Sequence, residues 1–448
     1  MPLIESTLAH RLLGSIEADR LVILAGAGLS MAPPSHVPGA TDLAGAAAAR
    51  FHEITLSDVP AGSERDLALL ANFFLANHNL VSLFLNRLVE WKTFHRDHNK
   101  GHLAIADFLW CHAINWAITT NVDELVELAS RELGEVLRQS LDGVEMNVVC
   151  THASFLKLHG CAVRDKDNTL WSYGQLAATP PDPLVTRIRN STAWLQANLP
   201  GRDLVFVGFW SDWAYLNRVL VDAISTTTPP LVVLVDPMNL DGLSLKAPDL
   251  SAWAGAQNFV HVPGSGAEFL DELRALFCRS FLNRLLGDSV STYKTMSGQR
   301  ECTQKEVSAA LPTNDLFSLR RDTCGRPFGN VATEKRPTAA MKIAGATHLL
   351  LMNKGAIQED GRYRLGGRRI RVVNGAGQLL SEIRAAFSSE PVSPQPDDFV
   401  VCAGAADDGG TPPNVLGRLL APDIVRPGSA AKWITARQAF DTNFEEVA

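Results

Sequence analysis

The chain has little from which to build a metal or disulfide framework. Its seven cysteines, Cys111, Cys150, Cys161, Cys278, Cys302, Cys324 and Cys402, are odd in number, and no two have the two-residue separation that zinc ribbons need. Scattered cysteines of this kind are usually reduced core residues, which points to the cytoplasm. Long apolar runs are missing as well, since the longest, such as Leu231–Val235, are far too short to cross a bilayer. Met1-Pro2-Leu3-Ile4-Glu5-Ser6 has no basic region leading into an apolar core, so no signal peptide is expected. A strong charge of either sign is also absent. A net charge of −7 over 448 residues gives no general pull toward nucleic acid or anionic membrane. What is plentiful is core material, with 46% of the residues hydrophobic, enough for two or three domains.

The rest of the chain is organised around Leu21-Val22-Ile23-Leu24-Ala25-Gly26-Ala27-Gly28-Leu29-Ser30. Branched apolar residues running straight into glycines read as a buried parallel strand ending in a tight loop. Gly26 and Gly28 lack a Cβ, so the loop can take φ > 0 and a phosphate can approach its amides; Ser30 adds a hydroxyl. Plain turn chemistry produces the same pattern, and the motif alone does not decide. The dehydrogenase version is excluded, because its third glycine would fall at Met31 and a helix should begin at once. Ala32-Pro33-Pro34-Ser35-His36-Val37-Pro38-Gly39 follows instead, too rich in proline for a helix interior. A long, stiffened loop able to fold over a ligand is expected.

Residues 2–18 read as an amphipathic helix beneath this strand. Ala40–Phe51 is alanine-rich and expected to be helical, with Thr41 or Asp42 as its cap, and Ser63–Leu88 carries apolar residues at helical spacing. His95, His98 and His102 are three and four residues apart, but Gly101 interrupts them and no carboxylates accompany them, which favours surface or capping histidines over a metal site. The next strand, Asn115–Ile118, runs into Thr119-Thr120-Asn121-Val122-Asp123-Glu124. Those polar residues either face a ligand or cap a helix beginning near Glu124. Ser154–Leu158 ends in His159-Gly160, and a histidine there can serve as a base at neutral pH or be structural. Asp203–Val207 runs into Gly208-Phe209-Trp210-Ser211-Asp212, and Leu231–Val235 into Asp236, a residue suited to ribose hydroxyls. Phe259–Val262 reads as the last strand of this sheet, with a closing helix over Ala267–Leu286.

Gly26-Ala27-Gly28-Leu29-Ser30, Thr120-Asn121-Val122-Asp123, Leu158-His159-Gly160 and Val207-Gly208-Phe209-Trp210-Ser211-Asp212 occur in the order seen in the sirtuin family. Roughly residues 1–286 resemble its divergent bacterial branch, whose members are typically NAD-consuming effectors of anti-phage defence. The resemblance implies that Gly26, Ala27, Gly28 and Ser30 hold the NAD pyrophosphate, with Thr120 in the same cofactor-binding set. It implies that Asn121 positions the attacking water and the nicotinamide ribose, that Asp123 meets the carboxamide, and that His159 is a base acting on a ribose hydroxyl. Gly208, Phe209 and Asp236 would line the adenosine half. Breaking the nicotinamide–ribose bond passes through an oxocarbenium-like state, which needs polar groups around the ribose and a placed water.

Deacylating sirtuins carry a four-cysteine zinc module beside the groove for acyl-lysine. No such spacing exists here, no zinc is expected, and a mostly helical insertion over about 40–112 fills the interval. Water is then the expected acceptor of ADP-ribose. Residues 287–448 change character, with frequent proline and glycine and short apolar runs. Ala346–Met352, Arg362–Leu365 and Arg368–Val373 read as strands, Gly366-Gly367 as a hairpin turn, Leu379–Phe387 as a short helix, and Ser388–Asp398 as a proline-rich linker. Alternation puts Arg362 with Arg364, and Arg369 with Arg371, on shared strand faces. Such a basic patch can meet phosphate, although a solvated face suits this acidic chain better.

The expected fold class is α/β: a Rossmann-like doubly wound parallel sheet (sirtuin-like) with a helical insertion over residues 1–286, and a smaller mixed α/β domain over 287–448 for oligomerisation, partner docking or sensing. The expected function is NAD glycohydrolysis to nicotinamide and ADP-ribose, gated as an effector of bacterial anti-phage defence, with the Pro33–Gly39 loop and the C-terminal domain as restraints. The alternatives are an NAD-dependent protein deacylase, an ADP-ribosyltransferase, or a non-catalytic sensor of NAD or ADP-ribose. The expected partners are NAD, further copies of the chain, and a defence protein that handles nucleic acid; no membrane is involved.

Overall fold

Strand β1 (Leu21–Ala25) has every residue buried, as an inner strand of a parallel sheet requires. The computed structural model describes residues 2–148, 151–178, 182–224, 230–299, 301–302, 305–325, 333–387, 395–406 and 431–445. The chain divides into two compact units, Met1–Glu132 with Val136–Glu272, and Leu133–Glu135 with Leu273–Ala448. The sequence places the change of character at 287; the compact units divide within the helix Gly266–Asp288. No described helix is long and apolar enough to cross a membrane.

In the first unit β1 is joined by β2 (Trp116–Thr119), β3 (Gln139–Ser140), β4 (Ser154–Lys157), β5 (Asp203–Val207), β6 (Leu231–Val235) and β7 (Asn258–Val262). All pair in parallel, in the order β3-β4-β2-β1-β5-β6-β7. This is a doubly wound α/β sheet, and its strand order reverses between β1 and β5, where ligands of such sheets bind. The register is level: Lys157, Thr119, Ala25, Val207, Val235 and Val262 lie in one row across the sheet. Every motif that follows these residues therefore emerges on one rim.

Helix α1 (Ser6–Glu17) precedes β1, and a one-turn helix α2 (Ala27–Met31) follows it directly. A helix does begin at the glycine loop, then, and it is the prolines from Pro33 onward that keep it short. The insertion between β1 and β2 holds α3 (Ala40–Thr55), α4 (Leu67–Ala76), a π-helical segment at Leu80–Leu88 and α5 (Lys100–Trp110). Asp42 sits one turn inside α3, where its carboxylate accepts the Gly39 amide at 3.3 Å. Phe74, Phe84, Leu70 and Leu88 of the insertion pack with Val122 and Trp171 of the sheet's rim loops. The remaining crossovers are α6 (Leu125–Glu132), α7 (Pro183–Asn198), α8 (Ala214–Ile224), α9 (Leu240–Lys246) and α10 (Pro248–Gly255), and α11 (Gly266–Asp288) follows β7.

The second unit contains α12 (Val290–Ser297), α13 (Thr313–Thr323), α14 (Lys342–Asn353), β8 (Ile357–Glu359), β9 (Arg362–Leu365), β10 (Arg368–Asn374), α15 (Leu380–Phe387), β11 (Phe399–Ala403), β12 (Lys432–Thr435) and α16 (Ala436–Asp441). The five strands form a mixed sheet ordered β12-β11-β10-β9-β8. Gly366 (φ +56°) and Gly367 (φ +80°) make the expected tight turn between antiparallel β9 and β10. Ala346–Met352 is helical, not a strand. It lies within α14, where Ala344–Leu351 are all buried, so the run shows no helical periodicity to distinguish the two. Of the expected linker Ser388–Asp398, residues 388–394 lie outside the described residues.

Arg362, Arg369 and Arg371 of β9 and β10 form neither a free basic patch nor a solvated face, whereas Arg364 is exposed. Arg371 is buried and donates from Nε and Nη2 to both oxygens of Asp322, at 2.7 and 2.8 Å. Arg362 lies 3.4 Å from Asp322 and 3.2 Å from Asp397, Arg369 lies 3.4 Å from Asp397, and Arg364 pairs with Glu359.

Candidate functional site

A cavity of about 310 Å³ opens at the C-terminal ends of β1, β2, β4 and β5, the switch point of the first sheet. Ala27, Ser30, Thr120, Asn121, Asp123, His159, Gly208 and Phe209 all line it. Val37, Pro38, Leu43, Leu67 and Phe94, from the loop after α2 and the helical insertion, form an apolar wall with Trp171 and Trp213. The proline loop is thus already folded over the cleft. Val37 donates its amide to Ser30 O at 3.0 Å, and the Asn99 side chain donates to Leu29 O at 2.8 Å. Asp236 lies outside the cavity lining, half-buried, with Oδ1 accepting the Met238 amide at 2.9 Å.

Gly26 and Gly28 are glycines for a reason other than backbone φ. Gly26 has φ −133° and Gly28 lies within α2, so neither takes a left-handed conformation. The end of β5 packs against them instead: a Cβ on Gly26 would stand 2.7 Å from Gly208 O, and one on Gly28 would stand 2.8 Å from Gly208 Cα. Their amides are committed to that packing, Gly26 N–H to Val207 O at 3.0 Å and Gly28 N–H to Gly208 O at 2.9 Å. In this arrangement those two amides have no bond to spare for a phosphate. Gly208 does need its freedom, with φ +60° and Leu29 N only 2.3 Å from a would-be Cβ.

Ser30 is the hub of the polar side. It is 1% exposed, and its hydroxyl has one proton and two lone pairs to place. His102 Nδ1 accepts the Asn99 amide at 3.1 Å, so a neutral His102 carries its proton on Nε2 and donates to Ser30 Oγ at 3.2 Å. Asn121 Nδ2 donates to Ser30 Oγ at 2.9 Å and to Gly26 O at 3.1 Å. Ser30 in turn donates to Asp123 Oδ2 at 2.9 Å. Every bond the hydroxyl can make is used, so Ser30 acts on Asn121 and Asp123 as an orienting group. With both Nδ2 protons of Asn121 spent, its Oδ1 accepts nothing among the described residues.

Asp123 combines the two roles that its sequence leaves open. Its Oδ1 accepts the Leu125 amide at 3.2 Å at the start of α6, while the residue also lines the cavity. Beneath it, the fully buried Lys157 donates to the Asp123 carbonyl and lies 3.0 Å from Glu127 Oε1. Burial raises the Asp123 and Glu127 carboxyls above their ordinary range, with Lys157 opposing. For Lys157, burial lowers its proton affinity but the attraction of Glu127, Cys161 and Asp123 outweighs it, and the net shift is upward.

His159 forms the next stretch of wall. Its Nε2 is 3.0 Å from the Tyr215 hydroxyl, and its ring lies 4.5 Å from that of Trp213. Burial, assisted by the charge of Arg187, lowers its pKa to about 3, so the ring is neutral at neutral pH. Burial likewise lowers His102 to about 3, with His98 and Lys157 adding to the effect.

Of the histidines spaced along 95–102, His98 pairs with Glu132 at 2.7 Å, and only His102 joins the site. Its signal was the pair Asn99 and His102 flanking a helix start, a reciprocal cap that the structure contains. Lys157, Glu127, Arg187 and Tyr215 are the residues that sequence reasoning missed, since Lys157 meets Glu127 and Asp123 from 30 and 34 positions away, Tyr215 meets His159 from 56 and Arg187 meets Asp165 from 22. Among the described residues no group of His, Cys, Asp or Glu is arranged to hold a metal ion.

No family model matches the sequence, and no curated protein matches it. Similar solved structures include a Sir2 homologue determined as its NAD complex, at 14% identity and a TM-score of 0.35, covering 59% of this chain and 91% of that one. A mutant Sir2 homologue complexed with 2′-O-acetyl ADP-ribose is 15% identical, with a TM-score of 0.35 and coverage of 60% and 94%. A structure described under the mechanism and regulation of Sir2 enzymes is 13% identical, with a TM-score of 0.32 and coverage of 60% and 96%.

Proposed function

We propose that this chain is a sirtuin-like NAD glycohydrolase, cleaving NAD to nicotinamide and ADP-ribose with water as the acceptor. The observation that carries the reading is the convergence of Asn121, Ser30, Asp123 and His159 on one cavity at the sheet's switch point. The C1′–nitrogen bond breaks with its electron pair leaving on nicotinamide, and water attacks the oxocarbenium carbon and loses a proton. Asn121 Oδ1 is the acceptor available to orient that water. A carboxyl whose pKa burial has raised suits Asp123 to a hydrogen bond with the carboxamide. His159 meets a ribose hydroxyl. The aromatic wall offers flat faces to the nicotinamide and keeps bulk water out. Lys246 is the cation among the lining residues and is suited to the pyrophosphate beside Ala27. Gly208 and Phe209 bound the adenosine side, and Asp236 would reach a ribose hydroxyl beyond the cavity.

On this reading the enzyme is a gated effector of bacterial anti-phage defence acting in the cytoplasm, because unrestrained NAD hydrolysis would drain the cell that makes it. Residues 287–448 would carry the restraint by self-assembly or by docking a defence partner. The motifs shared with NAD-consuming sirtuin-like proteins support this. The test is to incubate the purified full chain with NAD, alone and with candidate triggers, and to identify products chromatographically while measuring NAD binding by calorimetry. Nicotinamide and ADP-ribose should form without any acyl-lysine peptide. Neither binding nor cleavage under any of these conditions would overturn the reading, and strict dependence on acyl-lysine would replace it with a deacylase.

A further inference from the structure

The role of His159 depends on which ring nitrogen carries the proton. Nε2 is engaged by the Tyr215 hydroxyl at 3.0 Å. Nδ1 makes no hydrogen bond among the described residues, and His159 lines the cavity. A phenol and a neutral imidazole nitrogen can share one proton in two ways, and the surroundings decide. Arg187 of α7 acts electrostatically on both Tyr215 and His159. Its side chain is buried, its Nη1 lies 3.4 Å from Asp165, and its Nε and Nη2 have no hydrogen-bond partner among the described residues. Burial lowers the Arg187 pKa against the opposing pull of Asp165, Tyr215, Asp142 and Glu145, and a guanidinium keeps its charge at neutral pH all the same. A fixed cation near a phenol attracts the oxygen and repels the hydroxyl proton, which then points to Nε2.

We propose that His159 faces the cavity as a hydrogen-bond donor through Nδ1–H, in a tautomer set by the Tyr215 hydroxyl and oriented by Arg187. Resting on the NAD reading for the identity of the ligand, this makes His159 a neutral donor to a ribose hydroxyl oxygen, where a general base would need a bare lone pair on that side. Tyr215 and Arg187 are positioning residues. The low proton affinity of the buried ring fits the role, since a donor of this kind has no need of a second proton.

The tautomer can be read directly in the nitrogen spectrum of the isotope-labelled full chain, assigned with His159→Gln. The Nδ1-protonated form, showing no titration between about pH 5 and 8, is expected. Tyr215→Phe should shift the population toward the Nε2-protonated form. An Nε2–H tautomer in the wild type, or an imidazolium forming near pH 6, would overturn the proposal. Kinetics give a second reading. The amide nitrogen of His159→Asn replaces Nδ1 and donates but takes up no proton, so it should keep NAD turnover within about tenfold of wild type, whereas His159→Ala loses about 10²–10³-fold. An asparagine variant as inactive as the alanine one contradicts the donor role. Should the spectrum be as expected while NAD is neither bound nor cleaved, the NAD reading falls and the tautomer assignment stands.

Discussion

The two units each bury a charge cluster, and the clusters are opposite in composition. Beneath the cavity, one ammonium, Lys157, pairs with the Glu127 carboxyl and donates to the Asp123 main-chain carbonyl, and Glu127 Oε2 has no partner among the described residues. In the second unit one carboxylate, Asp322, is gripped by Arg371, Arg321 and Arg362. Burial raises both acids of the first cluster. Burial would raise Asp322 too, but Arg371, Arg321 and Arg362 overcome it and hold Asp322 well below the usual carboxylate range. The arginine-rich cluster is closed on itself and locks α13 to β9 and β10. The acid-rich cluster is under-neutralised and lies directly below a loop whose side chains face a cavity, the arrangement expected of groups held ready for a ligand.

That contrast predicts different failures. The largest effect belongs to the cavity: Asn121→Ala should lower NAD cleavage by about 10²–10⁴-fold while the chain stays folded, at a cost of about 1–3 kcal/mol for its lost bonds to Ser30 and Gly26, measured by product analysis and denaturant titration. Equal activity in that variant would break the link between the cluster and chemistry. Lys157→Met strands Glu127 in the interior and should cost about 3–5 kcal/mol in denaturant unfolding, with much of it recovered in the double variant Lys157→Met, Glu127→Leu. Because Lys157 also holds the Asp123 carbonyl, the double variant should regain stability but not turnover; full recovery of both would show that the pair is structural only. Gly208→Ala should cost about 1–3 kcal/mol and weaken NAD binding, since its φ is positive and Leu29 N lies where the methyl would go.

The smallest effect is in pH dependence. Asp322 has a depressed folded pKa, so its contribution is present above the ordinary carboxylate range and is lost only as pH falls through and below it. His159 and His102 are also depressed, from 6.5 to about 3, so the first unit should lose stability earlier, as pH falls from about 6.5 toward 3. Acid titration followed by signals from each unit should show the first responding before the second. Simultaneous loss at low pH would remove this part of the contrast, although His348, buried and lowered to about 4, narrows the gap in the second unit.

Sequence reading captured what local pattern controls. The apolar runs before Gly26, Thr120, His159, Gly208 and Asp236 are strands, their level register brings most of the polar ends to one rim, and the Gly366-Gly367 turn is where its residues demand. It failed where distant partners decide. Arg371 looks like a surface residue by alternation until Asp322, 49 positions away, is beside it. Gly26 and Gly28 suggest phosphate contact until the end of β5 is seen filling the space. The two-residue strand β3 is too short to leave a pattern, and α14 is buried on all sides over Ala344–Leu351. The fold was legible from periodicity; the hydrogen bonding of the site was not, because it depends on register between segments far apart in the chain.

Running the reaction in water enriched in the heavy oxygen isotope tests the central claim most directly, with ADP-ribose examined by mass spectrometry. The account predicts one heavy oxygen per ADP-ribose, placed at the anomeric carbon, and a loss of that product in Asn121→Ala. ADP-ribose carrying no solvent oxygen, or appearing only as an adduct of an acyl group or a protein side chain, would contradict it.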